Sequence, residues 1–89
     1  MSDLNAQFAQ AQIDVKTLTE RPSNQAMLRL YSLFKQGSEG DVHGAKPGFT
    51  DIVGKYKYEA WGALKGTSQD DAKQQYIDFV KALLNGTAS

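Results

Sequence analysis

Apolar side chains recur at intervals of three and four residues in four separate segments of this chain. In the first segment the spacing runs from Leu4 through Phe8, Ala11 and Val15 to Leu18. Residues three or four apart lie on one face of an α-helix, whereas a half-buried strand alternates apolar and polar residues. The chain shows no sustained alternation, no hairpin dipeptide between apolar runs and no internal repeat. The sequence therefore predicts an all-α fold with four helices.

Capping residues and helix stops mark the ends of these four segments. Hydroxyl and carboxylate side chains favour the position before a helix, and glycine favours the position after its end. The predicted helices are about residues 4–19 after the N-cap Asp3, a second helix from the Pro22-Ser23 turn, about residues 52–65 before Gly66, and a fourth helix from the cap Ser68 to Asn85-Gly86.

A segment of different composition separates the second and third helices. Between Gln36 and Asp51 the chain holds four of its eight glycines, together with Pro47 and its single histidine, His43. At roughly fifteen residues this segment exceeds the usual connection in a small domain, and long loops in compact folds are usually functional or mobile. We therefore predict a long loop over these residues.

The composition indicates one globular domain and excludes several functional classes. The 89 residues leave room for one core, so we predict a single domain over residues 1–89 with its core at about residues 4–85. The chain has no cysteine, which excludes disulfides, thiolate metal sites and cysteine nucleophiles. Lys and Arg together number 10, and Asp and Glu together also number 10. The resulting net charge of zero disfavours nucleic-acid binding.

No segment is predicted to enter a membrane or to direct secretion. The longest strictly apolar run has three residues, whereas a membrane span needs about 20. The first residues lack the basic segment and the apolar stretch of roughly 7 to 15 residues that define a secretory signal. We therefore expect a cytoplasmic protein without stable membrane insertion.

Catalytic and metal-binding constellations are weak in this sequence. His43 is the only imidazole, and it lies near Asp41 in a glycine-rich segment, where a solvated or locally hydrogen-bonded role is the ordinary one. Asp70 and Asp71 are explained as first-turn residues that complement helix amides. The long loop lacks the lysine and hydroxyl of a phosphate-binding loop. We predict no catalytic residue, no metal site and no cofactor.

Two tyrosines and two lysines on the second, third and fourth helices form a more informative set: Tyr31, Lys35, Lys57 and Tyr76. The helical pitch places Lys35 and Leu28 on the flank beside Tyr31. In one interpretation the tyrosines belong to the core and the lysines lay their methylenes over its edge. In the other, aromatic faces hold a nucleobase and ammonium groups hold its phosphate. Spacing alone leaves both interpretations open.

Several ordered motifs extend over about residues 6–84 without an evident insertion. They are Tyr31-Ser32-Leu33-Phe34-Lys35-Gln36, Gly40-Asp41, Lys46-Pro47-Gly48-Phe49-Thr50-Asp51, Trp61-Gly62-Ala63-Leu64-Lys65-Gly66-Thr67-Ser68 and Tyr76-Ile77-Asp78. Together they resemble the acyl-CoA-binding protein family, and such coincidences over nearly a whole small chain are more specific than any single motif. The resemblance implies an up-down-down-up four-helix bundle that holds long-chain acyl-CoA esters without catalysis.

The resemblance also implies which residues hold the ligand. It implies that Tyr31 and Tyr76 position the adenine-ribose end, and that Lys35 and Lys57 pair with the ribose 3′-phosphate. The apolar residues would shelter the acyl chain. The full implied set is Tyr31, Lys35, Lys57, Tyr76, Ala11, Lys16, Met27 and Leu28.

Four positions depart from the common pattern of that family. Val53 stands where many members carry a lysine, which removes a cation from the phosphate neighbourhood. Phe34 replaces a common tyrosine and Tyr58 a common tryptophan. Tyr56 replaces a small residue that can border the site.

We therefore expect a monomeric, cytoplasmic protein that binds, buffers and transports long-chain acyl-CoA and meets the enzymes that produce or consume it transiently. An alternative is a small helical protein-interaction domain that binds no CoA ester and whose long loop meets a protein partner. A third possibility is an acyl-CoA hydrolase, which would release free CoA with time.

Overall fold

A computed structural model of the chain describes residues 3–87. Within this range there are four α-helices and no strand: α1 Leu4–Asp14, α2 Asn24–Glu39, α3 Ile52–Gly62 and α4 Gln69–Leu84. A short 3₁₀ turn, Val15–Thr17, follows α1. The predicted all-α class is confirmed. Residues 1, 2, 88 and 89 of the domain predicted over 1–89 lie outside the described residues.

Each helix begins after a side chain that accepts a hydrogen bond from a backbone amide of the first turn. The carboxylates of Asp3 and Asp51 accept from the amides of Asn5 and Gly54, each at 3.0 Å. The hydroxyls of Ser23 and Ser68 cap α2 and α4 in the same way, at 3.1 and 3.0 Å. A cap of this kind stabilises a helix by about 1 kcal/mol because the first amides of a helix lack intrahelical partners. The caps predicted at Asp3, Ser23 and Ser68 are confirmed.

Three predicted helix ends differ from the structure. The first α-helix changes to 3₁₀ geometry at Val15 rather than continuing to residue 19. The third ends at Gly62, and the residues that follow form turns with bonds between positions three apart, such as Leu64 N to Trp61 O at 3.0 Å. The second helix continues to Glu39, although the loop was predicted to begin at residue 36.

Gln36 explains why α2 continues beyond its predicted end. Its side chain is fully buried, and its amide donates to Asp41 Oδ1 at 2.9 Å and to the Thr67 carbonyl at 2.7 Å. These bonds hold the last turn of α2 in place. The helix then stops at Gly40, whose φ of 80° is a left-handed conformation that favours glycine.

The pairing of α2 with α3 is parallel. Lys57 Nζ lies 5.2 Å from the ring centroid of Tyr31, and Lys35 Nζ lies 4.9 Å from that of Trp61, so residue numbers rise together along the two helices. A parallel connection must return along the length of a helix. The 16 residues of α2 span roughly 24 Å. Residues 40–51 can reach up to roughly 40 Å when extended, which accounts for the length of the loop.

The other pairings complete the up-down-down-up order. Lys73 Nζ donates to Asn5 Oδ1 at 2.6 Å, and Tyr76 packs on Phe8, so α1 and α4 run in the same direction. Along α2 and α4 the order is reversed: Gln69 Nε2 donates to the Gly37 carbonyl, whereas Arg29 near the start of α2 lies over the Phe79 ring. The described residues therefore form the predicted up-down-down-up four-helix bundle.

The hydrophobic core lies between α1, α2 and α4. Its buried members are Phe8, Ala11, Ala26, Leu30, Leu33, Tyr76, Ile77, Val80 and Leu83. On α4, Phe79 is half-buried and packs against this core, whereas Leu84 is 43% exposed. Trp61 of α3 is buried outside this cluster, against α2. None of the helices within residues 3–87 is both long enough and apolar enough to cross a bilayer.

Candidate ligand-binding groove

An open groove of about 980 Å³ runs along the parallel pair α2 and α3. Its third wall is the connection between α1 and α2, and α4 contributes Tyr76. The lining residues are Val15, Lys16, Leu18, Glu20, Arg21, Pro22, Asn24, Met27, Leu28, Leu30, Tyr31, Phe34, Ile52, Val53, Tyr56, Lys57 and Tyr76. Most of them are apolar or aromatic, which is the usual composition of a site for an organic ligand.

The two tyrosines of the predicted site line this groove from different helices. Tyr31 is half-buried on α2, while Tyr76 on α4 is 5% exposed. The Tyr76 ring is fixed by an edge contact with Phe8, at 5.2 Å between centroids and 80° between planes. Burial raises the pKa of the Tyr76 hydroxyl above its ordinary value of 10.0. This aromatic surface is therefore held rigidly by the core.

Cationic side chains stand at the edge of the groove. The Lys57 ammonium lies over the Tyr31 ring, and Lys16 lies on the wall formed by the connection between α1 and α2. Within residues 3–87, neither of these lysines forms a salt bridge. Arg21 also lines the groove, where its guanidinium donates to Asn24 Oδ1 at 3.0 Å. Glu20 is the single acidic lining residue. The edge thus carries an excess of positive charge next to apolar side chains.

Lys35 is not among the lining residues. Its ammonium pairs with the Glu39 carboxylate one helical turn later and lies over the Trp61 ring. The Lys35 side chain is 22% exposed. Glu39 also faces His43, with 3.2 Å between Glu39 Oε1 and His43 Nε2. The hydrogen bond from Lys35 holds the pKa of Glu39 below its ordinary value of 4.5, so this carboxylate stays charged.

Ala11 also lies away from the groove. It is 5% exposed and borders a smaller cleft between α1 and α4, next to Ile77 and Val80. Six of the eight residues in the predicted set line the groove: Lys16, Met27, Leu28, Tyr31, Lys57 and Tyr76. The structure brings these six together and leaves Ala11 and Lys35 outside.

Sequence reasoning missed some lining residues and treated others only as departures from the family pattern. Arg21 was missed because the connection between α1 and α2 has no periodicity that assigns its side chains to a face. Val53 and Tyr56 line the groove beside Lys57, and the spacing of three and four residues from Val53 was the available signal. Phe34 also lines it and stacks on Phe8 at 6.0 Å between centroids.

The long loop is tied to the helices that form the groove. Trp61 Nε1 donates to the Gly40 carbonyl at 2.8 Å, and Tyr58 donates its hydroxyl to the Gly44 carbonyl at 3.2 Å. Asp41 Oδ1 accepts from the Gly66 amide at 2.9 Å, and this bond, together with the one from Gln36, lowers the pKa of Asp41. These bonds fix α3 against α2, and hence fix two walls of the groove.

The arrangement can hold an elongated molecule with an apolar part and an anionic part. Apolar side chains remove the first part from water, while the lysines at the edge meet the second. The lining residues include no histidine, cysteine, serine or threonine, and His43 lies elsewhere.

Comparisons of sequence and of structure with known proteins agree on one family. Residues 5–80 match the family model described as acyl-CoA binding protein. The chain is 51% identical over 81 residues to an acyl-CoA-binding protein homolog of Drosophila melanogaster, covering 91% of this chain and 94% of that protein. It is 45% identical over 76 residues to an acyl-CoA-binding protein of Dictyostelium discoideum, covering 85% and 90%.

A solved structure supports the same relationship. The crystal structure of acyl-CoA-binding protein 2 of Oryza sativa superposes with a TM-score of 0.90 at 37% identity, covering 94% of this chain and 93% of that chain. The family model matches most of the chain, and the relatives are matched over nearly their whole length. This chain therefore belongs to the acyl-CoA-binding protein family.

Proposed function

We propose that this protein binds long-chain acyl-CoA esters and buffers and carries them without chemical change. One observation carries the proposal: a single groove joins an apolar floor to a cationic edge next to tyrosine rings. An acyl-CoA ester has the matching parts, namely a hydrocarbon chain, an adenine ring and several phosphates. Relatives that are 44 to 51% identical to this chain are named as acyl-CoA-binding proteins.

The residues are proposed to divide between the two ends of the ligand. Tyr31 and Tyr76 position the adenine and ribose, and Lys57 pairs with the 3′-phosphate. Lys57 and Tyr31 already lie 5.2 Å apart, measured from ammonium to ring centroid, so one nucleotide can reach both. Met27 and Leu28 shelter the acyl chain, and Lys16 meets an anionic group from the wall formed by the connection between α1 and α2.

Lys35 and Ala11 enter the proposal differently from the lining residues. Lys35 must leave Glu39 to meet the 3′-phosphate, and its flexible four-carbon side chain lets the ammonium change position. Ala11 supports the groove from the core, where its small side chain allows α1 to pack closely on α4. Val53 and Tyr56 line the α3 wall of the groove and also shelter the acyl chain.

An isothermal calorimetric titration with palmitoyl-CoA, followed by a thiol assay of the same sample, tests the proposed function. We expect saturation at one ligand per chain and no release of free CoA over hours. Release of thiol with time would identify a hydrolase instead. Absence of binding would favour a helical protein-interaction domain.

The cellular part of the proposal is a monomeric protein in the cytoplasm that meets acyl-CoA-producing and acyl-CoA-consuming enzymes transiently. Because the groove is open along one side, a bound ligand can leave without unfolding of the bundle. Sedimentation velocity with and without palmitoyl-CoA checks the monomer, and cell fractionation checks the location.

A further inference from the structure

Lys35, Glu39, His43 and Trp61 form a compact set at one end of the α2–α3 pair, which we call the Glu39 cluster. The carboxylate of Glu39 contacts the ammonium of Lys35, and its Oε1 lies 3.2 Å from His43 Nε2. The Lys35 ammonium lies 4.9 Å from the Trp61 ring centroid, and the His43 ring meets the same indole edge-on at 5.2 Å. The cluster therefore gives Lys35 a partner outside the groove.

The ion pair between Lys35 and Glu39 is weak enough for a ligand phosphate to take the place of Glu39. Pairs with the acid four residues before the base are the more stable arrangement on a helix, and here the lysine comes first. The Glu39 side chain is 37% exposed, so water screens the attraction. A doubly charged phosphate within reach of Lys35 competes with such a carboxylate effectively, because its oxygens are stronger acceptors and carry more charge.

Glu39 has a second partner when Lys35 leaves. The His43 imidazole already lies against the other carboxylate oxygen of Glu39, so the carboxylate is not left without a polar contact. Hydrogen bonding from Lys35 keeps the pKa of Glu39 low, so Glu39 competes with a ligand phosphate for Lys35 as a charged carboxylate.

We infer that Glu39 sets the affinity and selectivity of the groove for a ligand phosphate by holding Lys35 outside the groove until that phosphate displaces it. Glu39 is thus a positioning residue that acts through Lys35. This inference rests on the proposed function, because it assigns the 3′-phosphate of an acyl-CoA ester as the competing anion.

The test compares Glu39→Gln with the unaltered protein in calorimetric titrations with palmitoyl-CoA and with 3′-dephospho-palmitoyl-CoA. Glutamine keeps the shape of the side chain but removes its charge. We expect about twofold to fivefold tighter binding of palmitoyl-CoA, and a change of less than about 1.5-fold with the dephosphorylated ligand. In a Lys35→Met background, the same Glu39→Gln change should have no effect on either ligand.

A matched control is Glu59→Gln, which removes one negative charge from α3 outside the groove lining. It should change neither affinity by more than about 1.5-fold, since its charge is solvated and screened. Thermal unfolding of each variant checks that the fold is retained.

The outcomes separate the inference from the proposed function. Equal tightening with both ligands, or unchanged binding of palmitoyl-CoA by Glu39→Gln, would overturn the role of Glu39 while leaving acyl-CoA binding in place. Persistence of the effect in the Lys35→Met background would likewise overturn it. If the unaltered protein binds neither ligand, the proposed function fails first and the inference fails with it.

Discussion

At the scale of single residues, the proposed site depends on side chains that contact the protein on one side and face the groove on the other. Lys57 lies over the Tyr31 ring at the groove edge, and Tyr76 is buried by the core on one side and borders the groove on the other. A ligand that meets both residues exchanges water for a charged contact and an aromatic surface. Such residues affect binding more strongly than folding when they lie at the edge, and affect both when they are buried.

Lys57→Ala should weaken palmitoyl-CoA binding by about one to two decades, because a charge-assisted hydrogen bond contributes roughly 1.5 to 3 kcal/mol. The melting temperature should change little, since Lys57 is exposed and forms no salt bridge within residues 3–87. Calorimetric titration measures the affinity. Lys55→Ala, on the same helix but outside the groove lining, is the matched control and should bind normally.

The partner of Lys57 is checked with 3′-dephospho-palmitoyl-CoA. If the phosphate is the partner, Lys57→Ala should cost little with this ligand. An equal loss with both ligands would show that Lys57 acts on another part of the molecule. Unchanged affinity with a lowered melting temperature would mean that Lys57 is structural.

The unaltered protein should lose stability at alkaline pH, and Tyr76→Phe should prevent this loss. Burial raises the pKa of the Tyr76 hydroxyl above 10.0, so the folded state favours the neutral form. That preference is fully present below the unfolded pKa and is lost as the pH rises through the folded pKa. Above about pH 10 the unaltered protein should therefore lose unfolding free energy relative to the variant.

Urea unfolding across this pH range measures the difference, and the three other tyrosines remain in the variant as an internal control. A constant difference at all pH values would show that Tyr76 ionises as readily in the fold as in the unfolded chain.

At the scale of elements, the last turn of α2 is the segment that sequence periodicity failed to assign. The helix faces and caps were predictable, because spacing and the residues next to a helix end are local properties. Gln36 could not be assigned in this way, since its burial depends on Asp41 in the loop and on the Thr67 carbonyl, 31 positions away. A glycine at the following position also made a helix there look unfavourable.

The same distinction applies to the site. The helical pitch placed Leu28 on the flank of α2 beside Tyr31, and both residues line the groove. The position of the Lys35 ammonium was not predictable. The helical pitch fixes where the residue lies on α2, but it does not specify whether the flexible side chain points to Glu39 or to the groove. Arg21 lies in a connection whose side-chain directions follow only from the packed structure.

Asp41 links the long loop to the connection between α3 and α4. Its charge should make the stability of the fold depend on pH in the acid range. The Gly66 amide and then the Gln36 amide lower its pKa from 3.8. The ionised carboxylate therefore stabilises the fold above the unfolded pKa, and this contribution is lost as the pH falls through the lowered folded pKa. Asp41→Asn should be less stable than the unaltered protein at pH 7, and this difference should disappear toward about pH 2.

Denaturant unfolding over this pH range measures the Asp41 effect. Asp78→Asn is the control for net charge, because Asp78 lies on the exposed face of α4 and accepts from Gln74 within the same helix. A gap between Asp41→Asn and the unaltered protein that stays the same at all pH values would show that the carboxylate charge does not matter.

At the scale of the whole molecule, the bundle separates its core from its groove. The core is shared by α1, α2 and α4, whereas α3 packs on α2 and forms one wall of the groove. The parallel arrangement of α2 and α3 requires that loop, and bonds at Gly40, Asp41 and Gly44 tie it down. The open space along the pair is therefore a consequence of the up-down-down-up order.

The central claim is that one groove binds the acyl chain and the nucleotide together, and calorimetry over a ligand series tests it most directly. The series runs from acetyl-CoA to long-chain esters and includes free palmitate. Because each buried methylene contributes about 0.8 kcal/mol, affinity should rise about fourfold per carbon until the groove is filled, and then level off. Palmitate, which lacks the nucleotide, should bind far more weakly than palmitoyl-CoA. Equal affinity for acetyl-CoA and palmitoyl-CoA, or for palmitate and palmitoyl-CoA, would contradict the claim.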